Sequence, residues 1–117
     1  MPANILIVED EWLIAEDYAS VLRGAGHSIV GPCATVETAL STIKENPVEL
    51  ALLDMELIGE TSFPVAQCLR ERNIPFAFLS GHGMRDLPPA MRDQQILPKP
   101  IEHAALLAAV EQLSATD

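Results

Sequence analysis

Ile5-Leu6-Ile7-Val8-Glu9-Asp10-Glu11 is the stretch from which the rest of the chain can be read. Four apolar residues, two kinds of them β-branched, run without a polar interruption, which is the pattern of a strand covered on both faces. The run then stops at three carboxylates in a row. Leu50-Ala51-Leu52-Leu53 repeats the pattern and stops at Asp54, and Phe76-Ala77-Phe78-Leu79 repeats it and stops at Ser80.

Helical patterns fill the spaces between these runs. Glu11 to Ala25 places Ile14, Tyr18, Val21, Leu22 and Ala25 on one face, as an amphipathic helix does, and Gly24 and Gly26 suit its end. Ser28 to Val30 predicts a short second strand. Thr35 is a candidate cap for a helix carrying Val36, Ala39, Leu40 and Ile43, closed by Asn46-Pro47. A third helix is expected from Ser62-Phe63-Pro64, with proline in the first turn, carrying Val65, Ala66 and Leu69. Ile96-Leu97 marks a fifth strand, and Glu102 to Leu113 a last helix with Leu106, Val110 and Leu113 inward. Between strands four and five, Leu87-Pro88-Pro89 leaves room only for a short or irregular fourth helix starting near Pro89. Strand-helix alternation of this kind predicts an α/β fold with a doubly wound, five-stranded parallel sheet. Right-handed crossovers favour the order 2-1-3-4-5, the flavodoxin-like arrangement.

The chain of 117 residues fits a single domain, 1–117, with no output domain expected. Its formal net charge of −10 and only seven scattered basic residues argue against nucleic acid as a partner. No apolar run approaches a membrane span, and Met1-Pro2-Ala3-Asn4 lacks the basic start of a secretory signal, so no membrane partner and a cytoplasmic location are expected. Cys33 and Cys68 stand in apolar contexts and are expected to be buried, reduced thiols.

In open parallel sheets ligands bind beyond the carboxyl ends of the strands. The residues at those ends are Glu9 and Asp10, Asp54, Ser80, and Lys99 after Pro98. Strands one and three are neighbours in the expected order, so Glu9, Asp10 and Asp54 should converge. Two carboxylates about 4 Å apart repel by roughly 4 kcal/mol at an effective dielectric near 20, so the cluster makes physical sense around a cation. Mg²⁺ takes one or two carboxylates and completes its shell with water and phosphate oxygens. Lys99 can then pair with a phosphoryl oxygen or with Asp54, and the Ser80 hydroxyl can donate to another phosphoryl oxygen. Positioning and charge neutralisation are what phosphoryl transfer needs, and Asp54 is the expected nucleophile. Singly, each residue has an ordinary explanation: acidic residues after a strand often serve only the dipole of the next helix, and a lone lysine is commonly a solvated one. Their coincidence on one rim carries the reading. Trp12, two residues past Asp10, lies close to this rim, and packing at the helix start is its ordinary role.

With these residues in view, the chain resembles response-regulator receiver domains of two-component systems over essentially its full length. Ile5-Leu6-Ile7-Val8-Glu9-Asp10-Glu11 is similar to the family's opening strand and acidic pair, Leu52-Leu53-Asp54-Met55 to the strand bearing the phosphoacceptor, and Leu97-Pro98-Lys99-Pro100 to its closing Lys-Pro signature. The resemblance implies that Asp54 is phosphorylated. It also implies that Mg²⁺ is held by Asp10, Asp54 and the backbone carbonyl of Glu56, with Glu9 acting through water. Ser80, Gly81 and Lys99 would contact the phosphoryl group. A cis bond before Pro100, a geometry open to X-Pro bonds, would aim Lys99 into the site. One departure stands out: Ile96 occupies the place of the family's usual strand-five aromatic. Pro75-Phe76-Ala77-Phe78-Leu79-Ser80-Gly81 resembles a subgroup with a Phe-Ala-Thr-Gly signature that also lacks this aromatic, with Leu79 and Ser80 in place of the signature's Ala and Thr.

The expected function is thus a phosphorylation-dependent switch fed by a histidine kinase or histidine phosphotransfer protein. It would signal through contacts with a downstream protein or drain phosphate from a relay, and a homodimer stays open. Apart from its own phosphorylation and dephosphorylation, no enzyme activity is expected. Glu56 and His82 are expected to tune the phosphoryl lifetime. A Mg²⁺-dependent aspartyl phosphohydrolase would need a second Asp where Glu56 stands. A flavin carrier would need a phosphate loop after strand one, where Glu9-Asp10-Glu11 would repel phosphate without a metal. A receiver-like binding module that works without phosphorylation remains the main alternative.

Overall fold

The computed structural model describes residues 2–81 and 87–115. Five parallel strands form one sheet: β1 (Asn4–Val8), β2 (Ser28–Cys33), β3 (Leu50–Asp54), β6 (Phe76–Ser80) and β7 (Gln95–Pro98). A two-stranded antiparallel hairpin, β4 (Glu56–Leu57) with β5 (Glu60–Thr61), lies between β3 and the third helix. The sheet order is β2-β1-β3-β6-β7, which is the expected 2-1-3-4-5 once the hairpin strands are counted. Among the described residues four helices complete the fold: α1 (Trp12–Gly24), α2 (Val36–Glu45), α3 (Phe63–Glu71) and α4 (His103–Ser114). A 3₁₀ turn at Pro89–Met91 occupies the place of the short fourth helix, which agrees with a start near Pro89.

The apolar runs are explained by what covers them. Every residue of β3 and β6 is buried, and so are Ile5 to Val8 of β1. Alternate residues feed two separate cores. Leu6, Val8, Ala51, Leu53, Phe76 and Phe78 face α2 and α3; Ile5, Ile7, Leu50, Leu52, Ala77 and Leu79 face α1 and α4. A sheet covered on both sides has no polar face, so its strands show no alternation. Phe78 anchors the first core with edge-on contacts to Phe63 and Phe76, at ring separations of 5.8 and 5.4 Å.

Several local expectations need correction. Strand two extends to Cys33, three residues past its predicted end, through a cis Gly31–Pro32 bond and a register shift opposite Leu6 to Val8. Gly31 is required there: its φ is +97°, and a Cβ would sit 2.9 Å from the Cys33 nitrogen. Ala25 is exposed rather than inward, while Ala15 and Ala19 are buried on α1. Cys33 is buried but Cys68 is only half-buried, and both are free thiols. Trp12 does not pack at the helix start; it is 70% exposed. Among the described residues no helix is long and apolar enough to cross a membrane.

Candidate functional site

Hydrogen bonds one step past three strand ends fix where the chemistry-bearing side chains emerge. The Glu9 N–H donates to the Cys33 carbonyl at 2.9 Å, the Met55 N–H to the Leu79 carbonyl at 2.9 Å, and the Lys99 N–H to the Ser80 carbonyl at 2.9 Å. Each ladder is thus carried beyond the last apolar residue before the chain turns away. Glu9, Asp54 and Lys99 consequently share the carboxyl rim of the sheet, and the Lys99–Pro100 peptide that follows is cis.

Glu9, Asp10 and Asp54 each bring one carboxylate oxygen within 4.8 Å of the others. The Lys99 ammonium lies between two of them, 3.1 Å from Glu9 Oε1 and 3.2 Å from Asp54 Oδ1. Glu9 is 2% exposed and Asp54 5%, so these are shielded contacts. Burial, with the charge of Asp54, pushes the Glu9 carboxyl up to about 7, against the lowering effect of the Glu11 N–H and of Lys99. For Lys99 burial pulls downward, but the Glu9 and Asp54 carboxylates outweigh it and hold the ammonium above its ordinary value. One ammonium faces three carboxylates. An oxygen-only donor set with surplus negative charge suits a hard divalent cation.

Of the remaining expected residues, Glu56, Ser80 and Gly81 are described. Glu56 and Gly81 line the same cleft as Asp10, Asp54 and Lys99, an open depression of about 450 Å³. Ser80 is buried at the end of β6, immediately before Gly81. His82 lies outside the described residues. Three participants escaped sequence reasoning. The Glu11 N–H donates to Glu9 Oε2 at 3.0 Å, and the Ile58 N–H to Asp10 Oδ2 at 2.6 Å; main-chain donors carry no residue-type signal. Tyr18, read only as a core residue, lies close enough to feel Lys99, Glu9 and Asp54; burial raises its hydroxyl above the usual range.

Comparison with known proteins identifies the family of the chain. The family model of the response regulator receiver domain matches residues 5–111. The transcriptional regulatory protein PdtaR of Mycobacterium tuberculosis is 30% identical over 95% of this chain and 56% of its own length. The phyllosphere-induced regulator PhyR of Methylorubrum extorquens is 30% identical over 96% of this chain and 43% of its own. The chain therefore spans about half the length of these curated relatives. The solution structure of SdrG from Sphingomonas melonis superposes with a TM-score of 0.82 at 36% identity, covering 96% of both chains. Strand order, acidic rim and sequence agree, and the chain belongs to the response regulator receiver domain family.

Proposed function

We propose that this receiver domain is a phosphorylation-dependent signalling switch that accepts a phosphoryl group on Asp54 from a phosphohistidine of a histidine kinase or histidine phosphotransfer protein. The observation that carries this reading is the placement of the Lys99 ammonium 3.2 Å from Asp54 Oδ1, with Glu9 and Asp10 clustered beside it. An Asp54 oxygen attacks phosphorus, the phosphorus–nitrogen bond breaks, and its electron pair returns to the donor imidazole. Lys99 stabilises charge on the transferred oxygens, while Ser80 and Gly81 hold the group from the end of β6. Asp10, Asp54 and the Glu56 carbonyl would hold Mg²⁺ directly, and Glu9 through water. When bound, Mg²⁺ supplies neutralisation of the phosphoryl oxygens.

Output then passes through contacts with a downstream protein or through withdrawal of phosphate from a relay. Incubation with acetyl phosphate and Mg²⁺ should add the mass of one phosphoryl group to the wild type and nothing to Asp54→Asn. No mass increase in the wild type would defeat the reading. Glu56, exposed beside the cluster, and His82, two residues past Ser80 in the chain, set the lifetime of the acyl phosphate. Replacing both with alanine is expected to change its decay rate, followed by mass over time; an unchanged rate removes them from that role.

A further inference from the structure

Asp10 is joined across 48 positions of sequence to the tip of the small hairpin, where the Ile58 N–H donates to its Oδ2 at 2.6 Å. The hairpin pairs Glu56 with Thr61 and Leu57 with Glu60, so Ile58 lies at the turn, outside the paired positions. The residue is 83% exposed, so side-chain burial does little to place it and the main-chain bond to Asp10 does more. Two further anchors hold the hairpin. Leu57 is buried in the core below α2 and α3, and Glu60 Oε2 accepts the Val36 N–H at 3.0 Å from the first turn of α2.

We propose that the β4–β5 hairpin is a clasp for the cation site, with the Ile58 backbone N–H as the positioning group that orients Asp10. This rests on the reading of the rim as a Mg²⁺ site. Asp10 is only half-buried, and an unrestrained carboxylate there would sample several rotamers. The Ile58 N–H occupies one oxygen and leaves the other for coordination. Hydrogen-bond partners of metal-ligating carboxylates commonly contribute about 10- to 100-fold in metal affinity. The clasp also transmits in the other direction: a cation that fixes Asp10 steadies the hairpin through the same bond.

Proline at position 58 suits the backbone of this turn, and its ring both removes the donor and takes the place of the hydrogen that faces Asp10 Oδ2. Gly59 has φ +76°, and Asn73 is the one non-glycine residue with positive φ among the described residues. Ile58 and Gly59 therefore fit the two central positions of a type II turn, in which proline is favoured at the first. The preceding Leu57 is in a strand, as a residue before proline prefers. Titration of the whole chain with MgCl₂ by calorimetry should show binding about 10-fold weaker or more for Ile58→Pro. Ile58→Ala, which keeps the N–H, should stay within about twofold of wild type. Wild-type affinity in the proline variant, or an equal loss in both variants, would overturn the clasp while leaving the Mg²⁺ site standing. No Mg²⁺ uptake by the wild type would bring down both. An observation that needs no change in the hairpin is the Ile58 amide proton in the metal-free chain. In Asp10→Ala it should move upfield and exchange faster with solvent; an amide indifferent to that substitution would refute the bond's role.

Discussion

Lys99 and Glu9 divide the electrostatic labour of the rim unequally. Lys99 offsets one carboxylate's worth of charge, while Glu9, deeper and fully shielded, holds its proton up to about pH 7. The unfolded chain releases that proton near the ordinary value of 4.5. Between these values the native state binds more protons than the unfolded one, so stability falls as pH rises through the window and levels off above it. For the metal-free protein the fall is expected to be on the order of 2 kcal/mol between about pH 5 and 7, read as a declining melting temperature. Glu9→Gln, which cannot ionise, should flatten the curve; a slope that persists in this variant would place its origin elsewhere. Identity and spacing made Glu9, Asp10, Asp54 and Lys99 legible as a group, because each stands directly beyond an apolar run. The protonation of Glu9 was not legible, since it depends on a depth of burial that only the packed rim creates.

At the scale of elements, legibility followed the strength of the local signal. β3 and β6 could be read to within a residue because both faces are covered and every position is apolar. Strand β2 is longer than its apolar signal because Gly31-Pro32, a pair typical of turns, lies here inside a bulged edge strand. The β4–β5 hairpin has two residues per strand, too few for any period to show. The start of α2 is a case where chemistry settled the matter. Thr35 is extended, and its hydroxyl oxygen accepts the Thr38 N–H at 3.1 Å. Thr35→Ala should cost about 1 kcal/mol through loss of this cap, measurable in urea unfolding, and Thr35→Ser should restore most of it. Equal stability of all three would show that the Glu60 contact to Val36 already satisfies this helix end.

Taken whole, the molecule is two cores separated by one sheet, with three carboxylates gathered at the carboxyl edge of that sheet. A chain with net charge −10 repels itself, and a divalent ion bound only by the native state adds stability by mass action. At a hundredfold excess over Kd the gain is about 2.7 kcal/mol. Millimolar Mg²⁺ should raise the melting temperature relative to EDTA, and Asp54→Asn should shrink that rise; no rise in the wild type would speak against a cation at the rim. The indole of Trp12 has a practical use here. It is the sole tryptophan of the chain and stands solvent-facing two residues from Asp10. Under excitation selective for indole, emission comes from this one residue, and acrylamide quenching becomes a label-free gauge of whatever settles over it.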